Sequence, residues 1–495
     1  MPDRLYLTTA IPFVNGAPHL GHALEYVQTD VLARHARARG RAVRFLTGTD
    51  EHAAKNVQAA RAAGEGVAPF VARNADGFRS LADALDVSYD DFLRTSADPR
   101  HRPAVEEIWR RCAANGDLFR ERYTGWYCGG CEEFYDPESL PGGRCPEHDA
   151  PLEQIAEENW FFRLSRYRDR LTELIVSNHL RIEPEARRNE VLGFLAGPVR
   201  DISVSRPSAR VHHWGIPVPG DPDQIVYVWF DALTNYVSAL GYGGPDDGYR
   251  DWWCGSASRA HVIGKGIVRF HAVIWPAILC SAGQQLPSTL FVHDYVTANG
   301  RKIGKSLGNA VDPAALIERY GTDALRWWLC REIPLVGEAD FTEDRLVESA
   351  DRDLANGVGN LVQRTVTLAA RAFGAEPIAT SPDCELAEKC DATRARIDQA
   401  LAGFDLRGAT EALVGLVDVA NRYVEATRPW TLLRAGGDHD AARVALGPLV
   451  SAVRVIGAEL EPFVPGLAAR VWARVGPEAG PVAPGLPVQP RRRPA

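Results

Sequence analysis

The sequence predicts an α/β protein: a parallel-sheet domain, interrupted by a small insertion and followed by an all-helical bundle. Three observations point there. The short apolar run Leu5-Tyr6-Leu7 enters a loop and then a helix on which Leu24, Val27, Val31 and Leu32 recur at helical spacing, with Gly40 as its cap. Val43-Arg44-Phe45-Leu46-Thr47 reads as a second strand that ends in the polar cluster Gly48-Thr49-Asp50-Glu51-His52. Polar residues at the carboxyl ends of strands are where open Rossmann-like sheets bind ligands. Beyond residue 350 the strand pattern stops, and segments 360–373, 391–404, 406–427 and 441–458 read as an antiparallel helical bundle.

With 495 residues the chain exceeds one compact core, so two to four domains are expected. A hydrophobic content of 45% and a charged content of 24% are ordinary for a globular protein. No run spans a bilayer and residues 1–4 lead into no signal-peptide core, so a cytoplasmic location without a membrane partner is expected. A net charge of −8 argues against indiscriminate nucleic-acid binding, but a local basic face can still supply phosphate contacts. Nine cysteines in such a chain point to metal or free thiols rather than to a disulfide framework.

Taken in order, His19-Leu20-Gly21-His22 stands where the first strand feeds a helix, a place that favours anions through free N–H groups and the helix dipole. Gly21 has no side chain to obstruct a planar ligand. Asp50 either caps the next helix or faces a ligand at the sheet edge. Cys128-Gly129-Gly130-Cys131 and Cys145-Pro146-Glu147-His148 have the paired spacing of a closed tetrahedral Zn²⁺ site, structural because no coordination position is left open. Residues 155 to about 200 are expected to be helical and aromatic-rich. Residues 225–232 read as a buried strand that ends by presenting Trp229, and 261–271 as a third strand, turn and helix with His271 one turn after Ile267. The pattern over residues 312–331 is helical, with Ala324, Leu325 and Trp328 on one face.

The segment Gly300-Arg301-Lys302-Ile303-Gly304-Lys305-Ser306 sets two lysines three apart in a glycine-bearing loop, suited to a polyphosphate whose charge grows during reaction. A P-loop needs four residues between its first glycine and Gly-Lys-Ser, and only Arg301, Lys302 and Ile303 stand there. Together with His19-Leu20-Gly21-His22, the segment resembles the two signatures of class I aminoacyl-tRNA synthetases, and the surrounding text resembles the methionyl-tRNA synthetase family from near residue 5 to near residue 470.

The resemblance implies a set of roles. His19, His22, Lys302 and Lys305 would be catalytic, with Asn15, Gly21, Gly264 and Ser306 also at the ATP. Asp50 would hold the amino group of the amino acid, with Ala10, Ile11, Phe13, Trp229, Ala232, Tyr236, Ile267, His271 and Trp275 around its side chain. Asn360, Arg364, Pro429 and Trp430 would read the anticodon. Cys128, Cys131, Cys145 and His148 would hold structural Zn²⁺, and Mg²⁺ would come with ATP. The partners implied are ATP, L-methionine or a close analogue, and tRNA(Met), with a monomer as the default.

The corresponding organisation is a catalytic domain over 1–115 and 201–325 and a zinc insertion over 116–200. A linker follows over 326–350, then an anticodon-binding helical domain over 351–475 and a disordered tail over 476–495. The chain departs from the family at Gly266, where an aspartate is usual, at Phe13 for tyrosine, at Ile274 for a second aromatic, at Ala53 for glycine, and at Ile303-Gly304 within the lysine loop. Three functions are therefore expected in order: a methionine–tRNA ligase, which could be an inhibitor-resistant second copy; an adenylating paralogue for a methionine analogue; or a non-catalytic tRNA-binding paralogue.

Overall fold

A computed structural model describes residues 3–128, 133–135, 144–145, 151–245, 248–298, 300–303, 311–374 and 384–476, with only the backbone of 133–135 and Lys302. Two compact units emerge, one from Met1–Pro18, Arg39–Leu81 and Ser88–His293, the other from His19–Ala38, Ala82–Val87 and Asp294–Ala495.

The first unit is built on a six-stranded sheet. Its strands are β1 Arg4–Thr9, β2 Ala42–Thr49, β3 Asp91–Arg94, β4 Arg181–Glu183, β5 Ser258–Gly264 and β6 Thr289–His293. They lie in the order β3-β2-β1-β5-β6-β4, with every pairing parallel. The inner strands β1, β5 and β6 are buried on both faces over most of their length, as expected where parallel strands are covered on both sides. From β1 the chain moves outward through β2 to β3 and later returns to the other side of β1 as β5. The crevice beyond Thr9 and Gly264 is thus a topological switch point, the place where open α/β sheets take ligands. The core under it includes Tyr6, Leu46, Leu93, Ile108, Trp253, Ile263, Trp275 and Leu290.

Two expectations for this unit change. Residues 155–200 are not uniformly helical: Glu153–Phe162 is a ten-residue strand paired antiparallel with Leu118–Cys128, and Arg181–Glu183 is an edge strand of the main sheet. The acidic run in Glu153–Phe162 conceals a two-residue alternation that buries Ile155, Asn159 and Phe161. Asp221–Val226 is a strand, but Val228–Leu233 is already helix, so Trp229 rides on a helix rather than a strand end.

The second unit contains the helix Leu20–Ala38 and the bundle helices Asn360–Phe373, Glu385–Ala402, Leu406–Thr427, His439–Leu460 and Pro465–Val475. The 312–331 segment is two helices, Pro313–Tyr320 and Thr322–Arg331, because Gly321 takes φ 87°, a left-handed conformation that interrupts the helix. Asp312 caps the first of them by accepting from the Ala314 N–H. His439–Leu460 is long and apolar enough by composition to cross a membrane, yet 56% of its apolar window is buried, and it packs on Asn360–Phe373, Leu406–Thr427 and Pro465–Val475. The tail over 477–495 lies outside the described residues.

Candidate active site

Beyond the carboxyl ends of β1 and β2, Phe13 and Asp50 form an isolated parallel bridge, and the Asp50 N–H donates to the Pro12 carbonyl at 2.9 Å. Asp50 does not cap the following helix: the residue before Ala54–Ala62 is Ala53, without a side-chain cap bond. Instead Asp50 Oδ1 accepts the His52 N–H at 3.2 Å. Neighbouring Glu51 is fully buried and takes the Arg94 guanidinium at 2.7 Å and Thr49 Oγ1 at 3.0 Å, which pins the β2 terminus against β3.

An aromatic wall surrounds this turn. Trp229 stacks on Phe270 with centroids 3.8 Å apart and meets the edge of Phe13 at 5.9 Å and of His271 at 6.5 Å. The Tyr236 hydroxyl is 2.7 Å from His271 Nε2, and His271 Nδ1 is 3.0 Å from the Ile267 carbonyl. Since the carbonyl only accepts, Nδ1 carries the proton and Nε2 accepts from the tyrosine. Burial pushes His271 down to about 4, which keeps this ring neutral. Trp275 is fully buried 6.2 Å from Tyr236, Ala232 is buried on the Trp229 helix, and the Ala10 N–H donates to the Val262 carbonyl at 3.2 Å. Phe13, Trp229, Ile267 and Ile274 are half-buried, packed on the core with part of each face open. Ile11 is also half-buried. The ring assembly thus brings Phe13, Trp229, Tyr236, Ile267, His271 and Trp275 together, and it adds Phe270 and His261, which the sequence does not reveal. His261 stacks on Tyr236 at 4.0 Å and is held by Thr8 Oγ1 at 2.7 Å.

In the second unit, His19 and His22 stack with centroids 3.8 Å apart. The His19 N–H donates to His22 Nδ1 at 3.0 Å and the Gly21 N–H to His19 Nδ1 at 3.1 Å, so in the neutral rings both protons sit on Nε2. A Cβ on Gly21 would come within 3.0 Å of the His19 ring, so the room at this glycine serves the imidazole. The Leu20 N–H donates to the Val311 carbonyl at 3.2 Å. Val311 is the first described residue after the lysine loop, of which Lys305 and Ser306 lie outside the described residues, as does the Lys302 side chain. Lys302 pairs through its backbone with Thr297. In the first unit, Asn15 is exposed and Gly264 ends β5.

On Asn360–Phe373, Arg364 lies over the Trp430 ring at 5.5 Å and donates to Glu425 at 2.7 Å, with exposed Asn360 one turn before it. Pro429 is buried at the start of the short helix that carries Trp430, after Arg428 in a left-handed conformation. At the insertion, Cys128 and Cys145 are both buried in one cluster with Leu152. Cys131 and His148 lie outside the described residues, and among the described ones no group of three metal ligands forms.

The first unit carries a switch-point pocket fronted by an acidic turn, and the second a His-x-x-His turn bonded to Val311, which follows the lysine segment in the chain; each is a feature of a class I aminoacyl-tRNA synthetase. A family model described as class I tRNA synthetases (M) matches residues 5–154 and 149–366, and one for the anticodon-binding domain of methionyl tRNA ligase matches 376–481. A methionine–tRNA ligase of Brucella suis is 41% identical over 94% of this chain and 90% of its own length. One from Thermotoga maritima is 38% identical over 97% of this chain and 76% of its own. A solved Mycobacterium tuberculosis methionyl-tRNA synthetase in complex with methionyl-adenylate superposes with a TM-score of 0.90 at 37% identity, covering 98% of this chain and 99% of that one. The chain belongs to the methionyl-tRNA synthetase family. The ligase class expected from the sequence is borne out, and the readings as an analogue-activating or a non-catalytic paralogue are not favoured.

Proposed function

We propose that this chain activates L-methionine with ATP and transfers the methionyl group to tRNA(Met). The observation that carries the reading is the Leu20–Val311 backbone bond, which holds the imidazole turn to a residue that follows the lysine loop in the chain, within one compact unit. The methionine carboxylate attacks the α-phosphorus of ATP. An oxygen–phosphorus bond forms, the bond to the bridging oxygen breaks, and pyrophosphate leaves. A hydroxyl of the terminal tRNA ribose then attacks the acyl carbon: the ester bond forms, the bond from that carbon to the phosphate oxygen breaks, and AMP leaves as the hydroxyl proton passes to it.

Phosphoryl-centre attack needs positioning and charge neutralisation more than acid–base chemistry. His19 and His22 offer Nε2–H donors toward the phosphates, Lys302, Lys305 and Ser306 meet the departing pyrophosphate, and Asn15, Gly21 and Gly264 flank the nucleotide. Asp50 takes the ammonium group. The thioether lies among Ala10, Ile11, Phe13, Trp229, Ala232, Tyr236, Ile267, His271 and Trp275, a neutral, aromatic surface suited to a polarizable sulfur. Asn360, Arg364, Pro429 and Trp430 read unstacked anticodon bases through stacking and edge hydrogen bonds.

Two thiols buried in one cluster, Cys128 and Cys145, fit half of a closed zinc site whose remaining ligands would be Cys131 and His148. The zinc would fold the insertion and take no part in the chemistry. Mg²⁺ arrives with ATP as part of the substrate. The functional division is catalytic over 1–115 and 201–325, zinc insertion over 116–200, linker over 326–350, anticodon binding over 351–475 and tail over 476–495, in a cytoplasmic monomer. ATP–pyrophosphate exchange across a panel of amino acids tests the reading: turnover with methionine above all others supports it, and none with methionine overturns it.

A further inference from the structure

We infer that Asp231, clasped between His52 and His101, is a positioning residue that locks the turn bearing Asp50 to the helix bearing Trp229 and Ala232. This rests on the amino-acid pocket proposed above. The Asp231 carboxylate is 1% exposed, with His52 Nδ1 at 2.7 Å from one oxygen and His101 Nε2 at 2.5 Å from the other. His101 Nδ1 is in turn 2.8 Å from Ser238 Oγ, two residues beyond Tyr236. On the opposite side, the His52 N–H reaches Asp50 Oδ1. The path therefore runs unbroken from the carboxylate that faces the ammonium group to the helices that carry three residues of the side-chain pocket.

A carboxylate flanked by two imidazoles accepts from both, which fixes the protonated nitrogen of each ring and hence its orientation. Burial alone would push the Asp231 carboxyl up; His52 and His101 reverse this and hold it below the usual carboxylate range. A buried charge is costly to keep when apolar packing would serve, so its retention between two pocket walls marks a geometric role. His52 is also braced by Trp214, edge-on at 6.0 Å, whose indole N–H donates to the Glu51 carbonyl at 2.7 Å. These residues lie far apart in sequence, and no local pattern joins them.

The test is ATP–pyrophosphate exchange by the full-length chain, with melting temperatures, for His52→Ala, His52→Asn, His101→Gln and wild type. The asparagine amide stands where imidazole Nδ1 stood, and the glutamine amide where Nε2 stood, so both conservative variants still donate to Asp231. The expected result is a methionine KM raised about 10- to 100-fold in His52→Ala, by analogy with residues that orient ligating side chains, an ATP KM within about twofold of wild type, and return toward wild type in His52→Asn and His101→Gln. A methionine KM unchanged in His52→Ala, an equal rise in His52→Asn, or a parallel rise in the ATP KM would overturn the inference. If His52→Ala does not fold, His52→Gln, whose amide is one bond too long, replaces it with the same expected split. A wild-type chain that does not exchange with methionine sinks the ligase reading itself, which separates the two failures.

Discussion

The Tyr236 hydroxyl and His271 Nε2, 2.7 Å apart, join two helices across the aromatic wall with both rings fully buried. Tyr236→Phe leaves the His271 acceptor without its donor, which costs about 1–3 kcal/mol. Urea unfolding of the variant against wild type checks this, and the methionine KM is expected to rise with it.

The same histidine makes stability depend on pH. Its folded value is about 4 against 6.5 for the free side chain, so between these values the unfolded chain binds a proton that the native one refuses. Stability therefore falls as pH drops from about 6.5 toward 4, by about 2 kcal/mol at pH 5 for this group. His261 is pushed the same way by burial and adds to the slope. Urea midpoints at pH 7 and 5 should show a smaller difference in His271→Gln than in wild type.

Lys55 sits with its ammonium 3.6 Å from the centre of the Phe13 ring. Phe13→Leu removes this cation–π contact and the edge contact to Trp229, together worth roughly 1–2 kcal/mol. The expected outcome is about a tenfold higher methionine KM in pyrophosphate exchange with the ATP KM little changed. Phe13→Tyr, which keeps the ring, should stay close to wild type.

Arg326 and Asp30 form an ion pair of 2.8 Å with neither side chain exposed, and the guanidinium also donates to the carbonyls of Leu85, Pro462 and Phe463. Arg326→Met leaves Asp30 with Arg34 as its remaining guanidinium partner at 2.8 Å and strands three carbonyls in the core, at about 3–5 kcal/mol. A lowered urea midpoint is the readout.

Trp430→Ala should leave methionine activation intact while lowering kcat/KM for tRNA about tenfold or more, since a base stacked on an aromatic is worth roughly 1–3 kcal/mol. Exchange and aminoacylation rates measured side by side separate the two steps. Equal loss in both would place Trp430 in the fold rather than at the anticodon.

Much of this architecture was legible because it is periodic. The helices Asn360–Phe373 and Leu406–Thr427 match the boundaries read from apolar spacing, and β1 and β2 announce themselves as apolar runs closed by polar clusters. Glu153–Phe162 reads as helix because its alternation is hidden among glutamates, whereas the helical pattern over 312–331 holds as two helices parted by one glycine at positive φ. The ring assembly around Trp229 was anticipated through resemblance, while Phe270, His261 and the His52–Asp231–His101 clasp were not. Their partners meet only through tertiary folding, which leaves no mark on neighbouring positions.

The strand order has a consequence for synthesis on the ribosome. Because β1 acquires its second neighbour only when β5 arrives, a nascent chain halted before residue 258 contains Phe13 and Asp50 but no Ile267, His271 or Trp275 to close the pocket around them. The amino-terminal half must wait, with one flank of its central strand unpaired, for more than half of the chain to emerge.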